Sequence, residues 1–490
     1  MRFLLDTNIL IPLEDSKRIL EPSLANFVRL ANAHGHVLLY HPASEEDIRE
    51  DSNEERRDQT LNRLGQYTRL DTRPACTWNS AHTSRNDAAD NEILYALSLN
   101  AAHALITEDR GIHSKAKSKG LDQRVYTIQT AEDQLQRLHQ AAPVQLPNIV
   151  DLPLYSLSPQ LPSQFFQSLR EGYPGFDAWF ERKAQEGRRA WVSWEQNERL
   201  GGICIYAQQE NERITEDVTL HGSALKISTF KVAETSRGKK IGELFLKAAF
   251  RYAGNNGLNN IFVHGDVALH HFLFEMLEDF GFTHIGFHPG SDGRDAVYLK
   301  AHPEAPPKED LPPFEYARQY FPHFRHDGAV SKFVIPIRPE YHRILFPDYD
   351  SPADRQMTLF QPPNTAGNAM KMAYLCHAQT KKMDPGDVVL FYRSGDERAV
   401  TSIGIVESYE TLSDPGDVVS RVKRRTVYTM DEINAMTAKP VRVMLFRLIG
   451  HLDNPLPQTW LEQRGILNGA PQSITRINDE SFERVLANGR

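Results

Sequence analysis

The sequence contains few cysteines, and this scarcity excludes two classes of fold. Its 490 residues include only Cys76, Cys204 and Cys376, which lie far apart and form no CxxC pair. A disulfide framework needs an even set of cysteines, and a structural zinc site needs them in pairs. We therefore expect reduced thiols, with neither a disulfide-stapled fold nor a zinc module.

Long apolar runs are also absent. No stretch approaches the roughly 20 apolar residues that cross a bilayer, and the first apolar run, MRFLLDTNIL, is interrupted by Asp6 and Asn8. A signal peptide needs an uninterrupted apolar core followed by a cleavage region. We therefore expect a cytoplasmic protein with no membrane partner.

An excess of positive charge is missing as well. Lys and Arg number 56 and Asp and Glu number 64, which gives a formal net charge of −8 at pH 7. Proteins that coat polyanions are usually strongly basic, so this balance excludes that class but leaves room for a local basic groove. Binding partners must therefore be inferred from motifs.

Length and proline distribution divide the chain into three segments. At 490 residues it exceeds what one hydrophobic core usually supports. Proline-rich polar stretches run from about 143 to 162 and, as HPEAPPKEDLPPF, from 302 to 314, and such composition is typical of linkers. The predicted domains are therefore 1–145, 150–302 and 310–490.

The first segment alternates strand-like and helix-like patterns. Apolar runs separated by amphipathic stretches lie at 3–5, 37–40, 104–107 and 125–128. This alternation predicts an α/β fold with a parallel sheet, in which sites form beyond the carboxyl ends of the strands. Asp6 and Asp109 each follow an apolar run, so we expect both at that edge of the sheet.

Two acidic helix starts add further carboxylates. NDAADNEILYALSLNA puts Asp87 and Asp90 at the N-terminal end of one helical face, and SEEDIRED contributes Glu46 and Asp47 after the second apolar run. A single Asp at such a position is commonly a helix N-cap. For any one of these acids alone the N-cap interpretation is preferred, and it is the order of the four along the chain that favours a shared site.

The order LLDTN, an acidic helix, DxxD and LITEDRGI resembles the PIN-domain nuclease family over residues 1–130. The resemblance implies a PIN-like α/β/α sandwich and an endoribonuclease that depends on Mg²⁺ or Mn²⁺, whose ions would activate water for in-line attack on a phosphodiester. Glu46 is an alternative second acid, Asp87 is an assisting one, and Thr107 matches a supporting hydroxyl residue. The implied catalytic and metal-binding acids are Asp6, Asp47, Asp90 and Asp109.

The middle segment contains a strand, a basic turn and a helix. LKISTFKV at 225–232 leads through AETS into RGKKIGELFLKAAFRYA, whose apolar residues recur at helical spacing. The start of such a helix offers backbone amides to an anion, and glycine permits close approach. This succession, closed by GF at 281–282, resembles the GNAT acetyltransferase fold over about residues 165–300.

The GNAT resemblance implies acetyl-CoA as the cofactor. Lys240 stands where the family's pyrophosphate-binding pattern usually has its first glycine. The implied cofactor contacts are Lys231, Val232, Arg237, Gly238, Lys239, Lys240, Ile241 and Gly242. Candidates for the general base that deprotonates an acceptor amine, which the sequence does not distinguish, are Glu234, His264, Asp266, His270 and Tyr298. A domain that binds acyl-CoA without turnover is the alternative.

The last segment has strand-like runs separated by Gly, Pro and Asp, which favours a small β-barrel. KKMDPGDVVLFYRSGDERAVTSIGIVE resembles the PUA-like superfamily, particularly its ASCH and EVE branches, and implies binding of RNA or modified bases. Core packing is the alternative for Phe391, and a solvated loop is the alternative for RVKRR at 421–425. Aromatic and basic side chains suited to base stacking and phosphate contact are Tyr374, Phe391, Tyr392, Arg393, Arg421, Lys423, Arg424 and Arg425.

Together the motifs predict a multidomain α/β and α+β protein in which a ribonuclease is fused to an N-acetyltransferase and an RNA-reading module. Such a chain fits the toxin of a toxin–antitoxin or phage-defence system that acts on transfer RNA or another RNA and is restrained by a protein antitoxin. Homo-oligomerisation is left open. The alternative is mainly an N-acetyltransferase, or an acyl-CoA-binding regulatory protein, with a degenerate nuclease scaffold, since fold analogy alone does not fix function.

Overall fold

The computed structural model describes residues 1–15, 20–79, 84–139, 149–195, 199–236, 240–349, 370–380, 382–422, 425 and 428–489. The chain divides into two compact units. The first unit comprises Met1–Val144 and Thr411–Val441, and the second comprises Gln145–Glu410 and Arg442–Arg490.

Five parallel strands form the sheet of the first unit, in the order β3-β2-β1-β4-β5. The strands are β1 (Arg2–Leu5), β2 (Val37–Tyr40), β3 (Thr68–Arg69), β4 (Ala104–Ile106) and β5 (Val125–Tyr126). The helices of residues 1–139 are α1 (Thr7–Glu14), α2 (Pro22–Ala33), α3 (Pro42–Arg49), α4 (Glu54–Arg63), α5 (Arg85–Ser98), α6 (Arg110–Ser118) and α7 (Ile128–His139). Helices thus alternate with parallel strands, as the sequence pattern predicts for an α/β fold.

The central strand β1 explains the unbroken apolar run near the amino terminus. It pairs with both β2 and β4, and Phe3, Leu4 and Leu5 are fully buried. Phe3 and Leu5 pack in a cluster with residues of α2 and α7, whereas Leu4 packs with residues of α5 and α6. A strand covered on both faces needs consecutive apolar residues. The sheet therefore lies between two layers of helices.

The segment Thr411–Val441 packs within the first unit through α14 (Pro415–Val422) and α15 (Met430–Met436). Val419 is fully buried, and its carbonyl accepts a hydrogen bond from Gln134 Nε2 at 3.2 Å. The carbonyl of Ser420 accepts one from the Tyr126 hydroxyl at 3.5 Å. The predicted domain 310–490 therefore does not pack as one continuous segment, because its residues 411–441 bury their apolar side chains in the first unit.

The seven-stranded domain, residues 149–301, belongs to the second unit and has the strand order β11-β12-β10-β9-β8-β7-β6. Its strands are β6 (Ile149–Pro153), β7 (Arg189–Trp194), β8 (Leu200–Glu210), β9 (Ser223–Val232), β10 (Asn260–Asp266), β11 (Thr283–Phe287) and β12 (Asp295–Ala301). Its helices are α8 (Gln167–Gly172), α9 (Phe176–Gln185), α10 (Ile241–Asn255) and α11 (His271–Asp279). Pro153 ends β6, so the first proline-rich stretch is in part regular structure rather than linker.

The six-stranded domain, residues 313–410 and 442–489, completes the second unit. Its strands follow in the order β14-β17-β16-β15-β13-β18. They are β13 (Lys332–Ile337), β14 (Lys371–Cys376), β15 (Val388–Arg393), β16 (Ala399–Leu412), β17 (Val441–Pro457) and β18 (Thr475–Ile477). The helices are α12 (Pro313–Gln319), α13 (Pro339–Leu345), α16 (Gln458–Gln463) and α17 (Asp479–Gly489). The β-rich character predicted for this part of the chain is therefore observed.

In the part of the chain that the structure describes, no helix combines the length and the apolar content that crossing a membrane requires. The three cysteine thiols are free, and Cys204 is buried.

Candidate functional sites

An acid cluster at the carboxyl ends of β1 and β4 is the first candidate site. Asp6 caps the start of α1, and its Oδ1 accepts from the Thr7 N–H at 2.7 Å. Asp109 caps α6 and accepts from the Ile112 N–H at 3.0 Å. The Thr107 hydroxyl donates to Asp6 Oδ2 at 2.6 Å and accepts from the Asp109 N–H at 3.0 Å. One hydroxyl therefore links the two strand ends.

Burial and like charge perturb the pKa values of these acids. Burial is the largest cause that raises the pKa of Asp6 to about 6, and the charges of Asp90 and Asp109 raise it further, against hydrogen bonds that lower it. Burial also raises the pKa of Asp90, and the charge of Asp109 adds to that effect. These mutual effects place the three acids in one electrostatic cluster.

The two alternatives for the remaining acid have different surroundings. Glu46 forms an ion pair with Arg73, which is the main cause that lowers the pKa of Glu46. Burial raises the pKa of Asp47, which Arg85 lowers and the charge of Asp90 raises again. Asp47, rather than Glu46, is thus coupled to the acid cluster.

Lys115 on α6 supplies positive charge beside the cluster. Its Nζ donates to Asp90 Oδ2 at 2.7 Å and to Asp87 Oδ1 at 2.6 Å. The sequence motifs did not identify this residue, although its position on the helix that begins after Asp109 is a usable signal. The ammonium group of Lys115 therefore neutralises part of the negative charge of these carboxylates. The same negative charge would attract a hard metal ion.

A tighter group of ligand atoms occurs elsewhere in the first unit. Among the described residues, the group of three whose ligand atoms lie within 4.8 Å of one another is His103, Asp414 and Asp417. The Nδ1 of His103 accepts from the Arg2 N–H at 2.8 Å, so Nε2 carries the proton and donates to Asp414 at 3.2 Å. Neither ring nitrogen then offers a lone pair to a metal, and this group is a hydrogen-bonded contact of α14.

A gap between β9 and β10 is the second candidate site. The pairing of these parallel strands ends at Ile227 and Val263, although the strands continue to Val232 and Asp266. Over that length β9 stays paired with β8 on its other edge. The predicted contacts Lys231 and Val232 lie on this part of β9, and because successive residues of a strand direct their backbone groups to opposite edges, one of the two faces the gap and is placed to bind a ligand.

His264 is the first residue of β10 beyond the region that pairs with β9. Its Nδ1 lies 3.3 Å from Oδ2 of Asp295 on β12, and its ring stacks on that of His288 with centroids 4.1 Å apart. The hydrogen bond from His264 is the main cause that lowers the pKa of Asp295, and burial is the main cause that lowers that of His288. The His264 side chain is 22% exposed, and its Nε2 is the ring nitrogen that does not face Asp295.

The other candidates for the general base are arranged differently. Asp266 accepts a backbone N–H in its own turn at 2.8 Å. Tyr298 is buried, and its hydroxyl is bonded to Glu278 at 3.3 Å. His270 bonds with the Tyr173 hydroxyl at 3.1 Å, and Glu234 is exposed in a short helical turn. His264 therefore combines exposure with a carboxylate partner. The sequence did not indicate Asp295 or His288, because they become neighbours of His264 only when the strands pair.

The predicted pyrophosphate loop is described in part. Lys240 precedes α10 with a left-handed backbone (φ 59°), a conformation that glycine adopts most readily. Its Nζ lies 3.3 Å from the carbonyl oxygen of Lys371, and Ile241 is buried. A Cβ on Gly242 would lie 2.9 Å from Sδ of Met276, so a larger residue there would require the Met276 side chain of α11 to shift. Outside the described residues lie Arg237, Gly238 and Lys239.

Several predicted nucleic-acid contacts lie inside the six-stranded domain. Phe391, Tyr392 and Arg393 are fully buried on β15. The Arg393 guanidinium donates to both carboxylate oxygens of Asp396, at 2.8 and 2.6 Å, and the Tyr392 hydroxyl bonds to Gln458 at 3.1 Å. These three side chains are therefore not exposed at the protein surface, and Phe391 packs in the core.

The remaining predicted contacts fall in two places. Tyr374 is half-buried, and its hydroxyl donates to the Pro336 carbonyl at 2.7 Å. Arg425 is buried, and Arg421 is half-buried on α14 within the first unit. The basic run therefore belongs to the unit that contains the acid cluster. Outside the described residues lie Lys423 and Arg424.

A surface concavity of about 620 Å³ lies beside β13, β18 and the start of α17. Lys332 in its wall is buried, and its Nζ donates to Asp479 Oδ1 and to the Asp327 carbonyl, both at 2.7 Å. The charge of this lysine is thus already neutralised by the protein, and the concavity is not an apolar ligand pocket.

Two protein-family models match parts of the sequence. Residues 154–282 match the acetyltransferase (GNAT) family, and residues 372–488 match the EVE domain. The chain therefore contains a GNAT acetyltransferase domain in its seven-stranded part and a PUA-like EVE domain in its six-stranded part. The two models leave residues 1–153 unassigned, and no curated protein matches the sequence.

Solved structures resemble about one third of the chain each. ASCH from Zymomonas mobilis is 14% identical, and the similarity covers 32% of this chain and 94% of that chain with a TM-score of 0.24. A GNAT family N-acetyltransferase from Escherichia coli, in complex with CoA, is 14% identical over 33% of this chain and 85% of that chain, with a TM-score of 0.24. A GNAT acetyltransferase from Staphylococcus aureus is 16% identical over 32% and 98%, with a TM-score of 0.24.

Proposed function

We propose that the seven-stranded domain is an N-acetyltransferase that uses acetyl-CoA. The observation that carries this proposal is the edge of β9 left open beside β10, in a domain that matches the GNAT family. A main-chain N–H in the segment 231–232 would hold the thioester carbonyl of acetyl-CoA, which supplies the activated acetyl group. The start of α10 would hold its pyrophosphate, because unpaired amides at a helix N-terminus attract anions.

His264 is proposed as the general base. Asp295 accepts the hydrogen bond from Nδ1 and fixes the ring, which leaves Nε2 to take a proton from the acceptor amine. The amine nitrogen then forms a bond to the acetyl carbon, the carbon–sulfur bond breaks, and the CoA thiolate leaves. His288 stacks on the base and restricts its rotation.

We expect His264→Gln to lower kcat for acetyl transfer about 100-fold or more while the Kd for CoA stays unchanged, because the base acts on the acceptor rather than on the cofactor. Release of the CoA thiol, with a polyamine, a lysine peptide and bulk transfer RNA as acceptors, measures turnover, and calorimetry with CoA measures binding. His221→Gln, at an exposed histidine of the same domain, is the matched control. Parental kcat in His264→Gln would overturn the base assignment, and failure of the parent to bind CoA would overturn the acetyltransferase proposal.

A second function is proposed for the first unit, namely cleavage of RNA that depends on Mg²⁺ or Mn²⁺. The supporting observation is the acid cluster beyond a parallel sheet, in which Asp6 is buried and both this burial and the charges of neighbouring acids raise its pKa. Such a cluster is relieved by a hard cation with oxygen ligands. When bound, the ion would supply an activated water and stabilise charge at the phosphodiester. The proposed ligands are Asp6, Asp47, Asp90 and Asp109, with Thr107 orienting Asp6.

We expect Asp6→Asn to reduce divalent-dependent cleavage of total RNA to background, because a negative ligand of the ion is lost. Gel electrophoresis of total RNA incubated with Mg²⁺, Mn²⁺ or a chelator measures cleavage. Asp71→Asn, at an exposed acid of the same unit, should cleave like the parent. Undiminished cleavage by Asp6→Asn at saturating Mg²⁺ would exclude the acid cluster as the active site.

The EVE domain supports a third assignment, that the six-stranded domain positions RNA. Transfer RNA is the substrate that a nuclease, an acetyltransferase and a PUA-like module could share. Restraint by a protein antitoxin, a role in a toxin–antitoxin or phage-defence system, and homo-oligomerisation stay predictions. The alternative, an acetyltransferase whose first unit no longer cuts RNA, is separated from the main proposal by the cleavage experiment.

A further inference from the structure

Helix α10 of the seven-stranded domain has its charged face against the six-stranded domain. Lys240, Glu243 and Lys247 are three and four positions apart and so share one face. Lys240 Nζ lies 3.3 Å from the carbonyl oxygen of Lys371, and Glu243 Oε2 lies 3.5 Å from the Lys371 backbone nitrogen. One helical turn further on, Lys247 Nζ donates to Asp348 Oδ2 at 2.6 Å. Three charged side chains therefore hold this helix to the neighbouring sheet domain.

The end of α11 is held by strands of the same domain. Asp279, its last residue, forms ion pairs with Lys371 of β14 and Arg447 of β17. Arg447 is 5% exposed, and its Nη1 also donates to the Asp279 carbonyl at 2.7 Å. Met370 is buried in the hydrophobic cluster that contains residues of α10 and α11. The two domains thus share part of one core.

The ion pair between Lys247 and Asp348 continues into the six-stranded domain. Asp348 Oδ1 lies 3.4 Å from His451 Nε2, and His451 Nδ1 lies 2.9 Å from Ser402 Oγ. Burial alone would raise the pKa of Asp348, but the close contact with His451 and the charge of Lys247 hold it well below its usual range. Asp348 is therefore ionised, and Lys247 already has an anionic partner inside the protein.

We infer that the six-stranded domain fixes the position of α10 and thereby sets the affinity of the seven-stranded domain for CoA. This inference rests on the proposed acetyltransferase function, in which the start of α10 binds the pyrophosphate. The helix cannot shift without breaking its contacts with Lys371 and Asp348. Any ligand that displaces Lys371 of β14 or Asp348 must then change CoA affinity, and CoA must change the affinity of that ligand by the same factor. Lys247 and Asp348 are positioning residues in this scheme.

Neutral substitutions on the two sides of the ion pair test the inference. Lys247→Gln and Asp348→Asn each remove the same contact, one from each domain. We expect each single variant to bind CoA about fivefold or more weakly than the parent. The double variant should have no lower CoA affinity than the single variant of lower affinity, because both substitutions remove the same ion pair. Calorimetry with CoA on the full chain measures this. Lys247→Arg keeps the charge and should retain the parental affinity.

A direct contact between Lys247 and a CoA phosphate is the rival explanation. In that case Asp348→Asn would release Lys247 toward the phosphate and strengthen CoA binding, and this result would overturn the inference. Arg251→Gln, which removes an exposed cation from the same helix, is the matched control and should leave affinity unchanged. Circular dichroism melts establish that each variant is folded.

Hydrogen exchange of residues 240–249 in the unliganded chain gives a readout independent of CoA. We expect faster exchange in both Lys247→Gln and Asp348→Asn, because the helix has lost a tether. If both folded variants keep parental CoA affinity and parental exchange, the inference is wrong and the acetyltransferase proposal stands. If the parent itself does not bind CoA, both fail together.

Discussion

Asp6 caps a helix and is also buried, and its burial changes its acidity. Its carboxylate caps α1 through Thr7, as Asp residues at helix starts commonly do. An exposed cap would keep a nearly ordinary pKa, whereas burial at the end of the central strand raises that of Asp6 to about 6. The LLDTN motif predicted the position of this acid, but its burial follows from the placement of β1 between two neighbouring strands.

This raised pKa predicts that Asp6 contributes less to the stability of the first unit as pH rises. The pKa of Asp6 is about 6 in the folded chain against an ordinary value of 3.8, so between these values Asp6 binds more protons in the folded than in the unfolded chain. The contribution of Asp6 to the free energy of unfolding therefore falls as pH increases through this window, by roughly 3 kcal/mol in all. Asp6→Asn lacks this loss, so in EDTA its stability relative to the parent should increase from pH 4 to pH 7.

Urea unfolding read by hydrogen exchange in a peptide covering β1 measures this difference. Asp71→Asn, at an exposed acid, should follow the parent at every pH. The same pH dependence in Asp6→Asn and in the parent would contradict the proposed burial of a titrating carboxyl.

The sequence identifies His264 as a candidate base but does not identify the carboxylate that it contacts. The sequence offered it as one of five chemically suitable bases. Antiparallel pairing of β10 with β12 brings Asp295 opposite Asp266, within reach of the His264 ring. His264 and Asp295 are 31 positions apart, so no local sequence pattern could connect them.

Among the elements, α10 shows both the strength and the limit of periodicity. Its apolar face was predicted correctly, since Ile241 and Phe245 are buried. The same pattern gives Lys240, Glu243 and Lys247 as a polar face, which ordinarily meets water. Polarity does not distinguish water from a polar protein partner, and here the partner is the six-stranded domain.

Helix α14 allows the packing of residues 411–441 to be tested. Val419 is fully buried in the first unit. Val419→Asp would place a charge in a dry site and should lower the free energy of unfolding of that unit by about 3 kcal/mol or more. Urea unfolding followed by hydrogen exchange in peptides from α7 and β15, one in each unit, should show a loss in α7 and none in β15.

Ser413→Asp is the control, because it adds the same charge at an exposed position just before α14, which begins at Pro415. It should leave both peptides at parental stability. An unchanged α7 peptide in Val419→Asp would mean that the segment does not stabilise the first unit.

At the scale of the whole molecule, the order of domains along the chain and their packing differ. The second proline-rich stretch separates β12, which ends at Ala301, from α12, which begins at Pro313. The EVE match from 372 to 488 is continuous in sequence, yet residues 411–441 within it pack in the first unit. A change in composition marks where a linker lies. A segment such as 411–441, which leaves one domain and packs in another, has the same apolar pattern as any core helix, so the sequence does not reveal where it packs.

The sequence by itself determined the class of each segment, the strand and helix patterns and the motifs that the GNAT and EVE matches support, because periodicity and turn chemistry act over a few neighbouring residues. Only the tertiary structure decided which polar side chains meet another domain and which predicted contacts are buried, as Arg393 and Arg425 are. Lys247 and Asp348 are 101 positions apart, and their contact depends on how two domains pack. Such contacts form when apolar surfaces far apart in the chain exclude water together, and no local pattern encodes which surfaces those are.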